Sequence, residues 1–152
     1  MQIRGRCHCG NVAYLFDTAL DPSQIPVRAC SCSFCVKHGG VWTSDTKGSL
    51  AVTVGDPSRV TRYVFGTKTA EFHVCVDCGM VPLVTCMIEG RAYAVVNVNT
   101  FEDVEQSKLR RTGAGISFDG EGVDDRLQRR MRNWIPDVKF ITEAVSDARR
   151  TD

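Results

Sequence analysis

From residue 11 to residue 99 the chain runs through short apolar segments separated by glycine, proline and aspartate. "NVAYLF" (11–16), "IPVRA" (25–29), "VWTSD" (41–45), "LAVTVG" (50–55), "VTRYVFG" (60–66), "TAEFHVC" (69–75), "VPLVTCMI" (81–88) and "AYAVVNVN" (92–99) are rich in β-branched and aromatic residues. Many short strands with regular turn signals predict a mainly β domain. The pattern changes at "VDDRLQRRMRNW", where Val123, Leu127, Met131 and Trp134 recur at intervals of three or four and predict a helix within about 121–135. Asp124 and Asp125 at its start, arginines in its last turns and Pro136 beyond it match the helix dipole and its stop signal. The tail "SDARRTD" is polar and is expected to fray.

At 152 residues the chain can bury a real core, and neither an internal repeat nor a composition break divides it. One domain over 1–152 is expected, with its core at about 3–101. The formal charge of +1 supplies no broad field for nucleic acid or an anionic membrane. Arg126, Arg129, Arg130 and Arg132 therefore read as a solvated helix face rather than a nucleic-acid footprint. No apolar h-region follows the arginines of "MQIRGRCHCG", and no later stretch nears the ~18 apolar residues of a membrane span, so a cytoplasmic protein is expected. Thiols stay reduced there, which turns eight cysteines toward metal binding or catalysis rather than disulfides.

Seven of the eight fall into three groups: Cys7 and Cys9 in "RCHCG", Cys30, Cys32 and Cys35 in "CSCSFC", and Cys75 and Cys78 in "CVDCG". Residues two apart on an extended chain point to one side, so C-x-C, like C-x-x-C, can present two thiolates to one ion. Gly79 can take the positive φ of a tight knuckle after Cys78. The economical pairing joins Cys7 and Cys9 to Cys75 and Cys78 as a closed structural zinc site. Cys30, Cys32 and Cys35 then remain, and three protein ligands with an exchangeable fourth position are the arrangement of a catalytic zinc. Completion by His38 or by Cys86 would close that site instead. Three thiolates on a divalent ion leave a charge of about −1, which Arg28, Lys37 or His38 could offset. Lys37 and His38, just after Cys35, are the candidates for contact with a bound thiol.

Together "RCHCGNVAY", "CSCSFCVKHGG" and "FHVCVDCG" resemble the cysteine signature of the glutathione-dependent formaldehyde-activating enzyme family, which also includes centromere protein V. "VVNVNTFED" resembles the segment after that family's last cysteine pair, and "DDRLQRRMRNWIPDV" the ending of one branch of its members. The resemblance implies an Mss4-like fold, a zinc-bound antiparallel β-sheet domain with, here, a short C-terminal helix. It implies two zincs: a structural one at Cys7, Cys9, Cys75 and Cys78, and a catalytic one at Cys30, Cys32 and Cys35. It implies glutathione as co-substrate and a carbon–sulfur lyase or thiol-carrier function, in which glutathione adds to formaldehyde to give S-hydroxymethylglutathione. The partner is then a small thiol or its adduct. The alternative is a zinc-stabilised protein-interaction module with two structural sites and no catalysis.

Overall fold

The computed structural model of the protein describes residues 1–111 and 115–141, without the side chains of 110 and 111. The tail expected to fray lies outside the described residues.

Among the described residues, eleven strands and two α-helices form a mainly β structure of two sheets. The first sheet has the order β1 (Gln2–Arg6), β2 (Val12–Asp17), β5 (Ser49–Val54), β11 (Asp137–Ile141). The second has the order β10 (Arg110–Arg111), β3 (Pro26–Ala29), β4 (Val41–Thr43), β9 (Arg91–Asn97), β8 (Leu83–Ile88), β7 (Glu71–Cys75), β6 (Val60–Tyr63). Most pairings are antiparallel, but β11 runs parallel to β5 and β10 parallel to β3, so both sheets are mixed. "DVKFI" at 137–141, a short segment with no partner nearby in sequence, can only be assigned as a strand once β5 is seen beside it.

Side-chain alternation sets the layers. In β2 Val12, Tyr14 and Phe16 turn inward, and in β1 Ile3 does the same between exposed Gln2 and Arg4. They meet Leu83, Ala94 and Val96 on one face of the second sheet. The other face of the same central strands, with Val84, Cys86, Tyr93 and Val95, belongs to a second cluster. Burial on both faces explains why β8 and β9 read as near-continuous apolar runs rather than alternating ones.

The second cluster is covered by α2 (Val123–Asn133), through Leu127, Met131 and Trp134. Val123, assigned by its spacing to the apolar face, is instead 46% exposed. Arg130 occupies the buried face between Leu127 and Trp134, so this arginine is not part of a solvated face. The stretch following Cys32 is a six-residue helix, α1 (Ser33–His38). Its N-cap is the Cys32 sulfur, which accepts from the Cys35 N–H at 3.4 Å, and Gly39 closes it at φ +72°. Among the described residues no helix is long and apolar enough to cross a membrane.

Candidate metal centres and the adjoining cavity

Two cysteine groups have sulfurs that all lie within 4.8 Å of one another: Cys7, Cys9, Cys75 and Cys78, and Cys30, Cys32 and Cys35. Each is built by tight backbone turns. After β1 the Gly10 N–H returns to the Cys7 carbonyl at 3.0 Å, and after β7 the Gly79 N–H returns to the Cys75 carbonyl at 2.8 Å, with Gly79 at φ +74°. These two knuckles face each other. The Cys7 and Cys9 sulfurs are 3.7 Å apart and those of Cys9 and Cys75 3.4 Å, near the ~3.8 Å that a tetrahedral zinc with ~2.3 Å bonds requires. An all-sulfur donor set of four, with Cys7 and Cys75 fully buried, fits a closed zinc site.

The second group gathers at the end of β3 and the start of α1. The Ser31 N–H donates to the Ile116 carbonyl at 3.1 Å, and the Ile116 N–H to that of Ala29 at 2.9 Å, pinning the loop that carries Cys30. Trp42 on β4 donates its indole N–H to the Cys35 sulfur at 3.3 Å. Here too an all-sulfur donor set fits zinc, but with three ligands rather than four.

The two groups ionise unevenly. The Cys35 thiol donates a hydrogen bond to Cys30 and, against the effect of burial, brings it down to about 5; the Cys32 backbone and the Arg129 charge help. Cys35, as the donor, is pushed up in turn. In the four-cysteine group burial works to raise Cys78, yet the backbone N–H groups of Cys9 and Met80 and the neighbouring thiols bring it down to about 6. Burial pushes Cys7 up to about 12. Each group thus contains a thiol ready to ionise at neutral pH and receive a cation.

The groups differ most in their surroundings. Cys30, Cys32 and Cys35 line a cavity of about 520 Å³, whereas none of the other four cysteines does. Aromatic and aliphatic side chains, among them Phe65, Phe72, Val84 and Trp134, line it. The lining also includes Arg28, Glu121, Arg126, Arg129 and Arg130.

Neither residue considered for closing the three-cysteine site joins its sulfur group. His38 packs on Phe34, with ring centroids 4.5 Å apart, and its Nε2 has no hydrogen-bond partner; burial lowers its pKa. Cys86 is a buried strand cysteine whose sulfur accepts from Arg130 Nη1 at 3.4 Å. Lys37 is exposed at the end of α1, and neither Lys37 nor His38 lines the cavity. The cationic groups that do so are Arg28 and three arginines of α2. Their sequence signal was present: Leu127, Arg130 and Trp134 are spaced by three and four, which puts Arg130 on the apolar stripe.

The model of the family described as "Glutathione-dependent formaldehyde-activating enzyme" matches residues 2–113, more than half of the chain and all seven clustered cysteines. A crystal structure of a Rhodobacter sphaeroides protein, a structural genomics target, aligns with a TM-score of 0.55 at 29% identity, covering 72% of this chain and 99% of that one. No curated protein matches the chain.

Proposed function

The chain belongs to the glutathione-dependent formaldehyde-activating enzyme family, and on that premise we propose a zinc-dependent carbon–sulfur lyase or thiol carrier that adds glutathione, or a similar small thiol, to an aldehyde such as formaldehyde. Cys30, Cys32 and Cys35 hold the exchangeable zinc, and Cys7, Cys9, Cys75 and Cys78 hold a structural one. The observation that carries the proposal is the contrast between the groups. The three-sulfur group lines the cavity of about 520 Å³, and none of Cys7, Cys9, Cys75 and Cys78 does.

Zinc, when bound at such a site, supplies positive charge that lowers the pKa of a thiol and polarises an aldehyde oxygen. The chain's own residues provide the rest. The Trp42 N–H and the Cys35 N–H donate to the Cys35 and Cys32 sulfurs, spreading thiolate charge and orienting the ligands. Phe65, Phe72 and Trp134 give the cavity apolar lining that limits water, which strengthens every polar contact inside it. Holding thiol and aldehyde in one enclosure converts a two-body encounter into a local one. A single zinc-binding domain and a reducing, cytoplasmic setting belong to the same proposal, in keeping with eight unpaired cysteines.

Exchange NMR on an equilibrated mixture of formaldehyde, glutathione and S-hydroxymethylglutathione tests it. Wild-type protein is expected to raise the exchange rate in proportion to its concentration, and Cys32→Ser to abolish the increase while retaining the fold. Equal rates with wild type and Cys32→Ser, both folded, would overturn the proposal.

A further inference from the structure

Four arginines line the cavity, Arg28 from β3 and Arg126, Arg129 and Arg130 from α2. Two of them share one carboxylate. Arg129 donates from Nε and Nη2 to both oxygens of Glu121 at 3.0 to 3.2 Å and stacks over Phe118 at 3.6 Å. Arg126 lies 3.8 Å from the same Glu121 and donates to the Phe118 carbonyl at 2.9 Å.

The other two have no carboxylate partner among the described residues. Arg28 Nη2 donates to the Ser44 hydroxyl at 2.5 Å. Arg130, only 6% exposed, donates from Nη1 to the Thr69 hydroxyl at 2.7 Å and to the Cys86 sulfur at 3.4 Å, over the Trp134 ring at 5.0 Å. Its Nε has no hydrogen-bond partner among the described residues. Burial disfavours the charge of both guanidiniums, and Arg129 adds repulsion on Arg28.

The charge count around the cavity is therefore unbalanced. Four guanidiniums face two lining carboxylates, Glu121 and Asp119, a surplus of two positive charges. Three thiolates around a divalent ion contribute −1, which leaves about +1. Buried like charges are costly unless an anion joins them, and a guanidinium fork fits a carboxylate with two parallel hydrogen bonds.

We infer that Arg28 and Arg130, with Arg126 and Arg129, form a carboxylate-binding subsite that makes the cavity select thiols bearing a carboxylate remote from the sulfur. The inference rests on the thiol site proposed above. It goes beyond the family assignment because α2 lies outside the matched residues 2–113, so three of the four arginines are supplied by a segment beyond the family core.

Binding of four probes to the zinc-loaded protein separates the two ideas, read by quenching of Trp42 and Trp134, which both line the cavity. The probes are 3-mercaptopropionate, its neutral amide, propionate and propanamide. The acid thiol is expected to bind about tenfold more tightly than the amide thiol, the size of one charge-assisted contact. That ratio should fall to near one in Arg28→Gln and in Arg130→Met, with the affinity for the amide thiol unchanged, and should recover partly in Arg130→Lys. If Arg130→Met does not fold, Arg28→Gln decides. Equal affinity for acid and amide thiols, or binding of neither, overturns the subsite; the first of these leaves the thiol site standing. Propionate binding as tightly as 3-mercaptopropionate, with acid still preferred over amide, keeps the subsite and removes the thiol site.

Discussion

Replacing Trp42 by phenylalanine tests how the three-cysteine group holds its metal. Trp42 is 6% exposed, and its indole N–H donates to the Cys35 sulfur at 3.3 Å while its ring stands 6.0 Å, edge-on, from Phe72. Phenylalanine keeps an aromatic ring at the site and removes the donor. A hydrogen bond to a charged acceptor contributes roughly 1.5–3 kcal/mol, and at 1.4 kcal/mol per tenfold this is about 10- to 100-fold in zinc affinity. Loss of an outer-shell partner elsewhere costs the same range, about 10- to 100-fold. Competition with a chromophoric chelator, fitted as two sites, reads the effect. The looser site should weaken by that factor while the tighter one keeps its affinity, since Trp42 touches no sulfur of Cys7, Cys9, Cys75 or Cys78. The smaller ring also leaves a gap, so a urea melt of the metal-loaded variant should accompany the titration. An unchanged loose site in a folded variant, or equal weakening of both sites, would refute the role given to the indole.

Three further outcomes are expected. Cys75→Ser should lower the melting temperature far more than Cys32→Ser, because Cys75 is fully buried where β7 meets the N-terminal knuckle and structural zinc contributes to folding directly; equal losses in thermal denaturation would contradict this. His73 is buried against Thr85, with Nε2 2.7 Å from its hydroxyl, and burial, with a smaller effect of Arg62, lowers its pKa from 6.5 to about 4. The unfolded chain then binds the proton first, so this contribution is full above pH 6.5 and falls by about 3 kcal/mol as pH drops to about 4; urea melts with zinc in excess should lose stability less steeply over this range in His73→Gln than in wild type, by about that amount. Gly5→Ala would place a methyl 2.2 Å from Tyr14 Cζ, and that ring is held by a 2.8 Å bond between its hydroxyl and Thr100. Overpacking of this kind costs about 1–3 kcal/mol, a drop of several degrees in melting temperature, and an unchanged melt would show that β1 yields freely.

The cysteine geometry was legible in the sequence because each half-site is local: C-x-C and C-x-x-C fix two sulfurs with one turn, whatever the rest of the chain does. The strands from Val12 to Asn97 were legible for a similar reason, since β-branched residues and turn signals act within a few positions. The parallel strand Asp137–Ile141 was not, because its partner lies at Ser49–Val54 and its composition carries no alternation strong enough to predict it. Of the arginines of α2 read as a solvated face, Arg132 is exposed as read, whereas Arg126, Arg129 and Arg130, which line the cavity, were misjudged by the same gap between local and distant information. Next to acidic residues on a helix they look solvated, and only the packing of α2 on β8 places Arg130 against Cys86 and Thr69. The helix at Ser33–His38 was hidden by its own chemistry, since cysteine is an uncommon N-cap.

The most direct measurement is the zinc content per chain by elemental analysis during titration with a moderate chelator, with the fold followed by circular dichroism, in the absence and presence of glutathione. Two zincs of unequal lability are predicted, the looser one shifted by glutathione and removable without unfolding. Two equally tight zincs, whose removal melts the protein and whose binding ignores glutathione, would contradict an open site at Cys30, Cys32 and Cys35 and leave a protein-interaction module stapled by two structural metals.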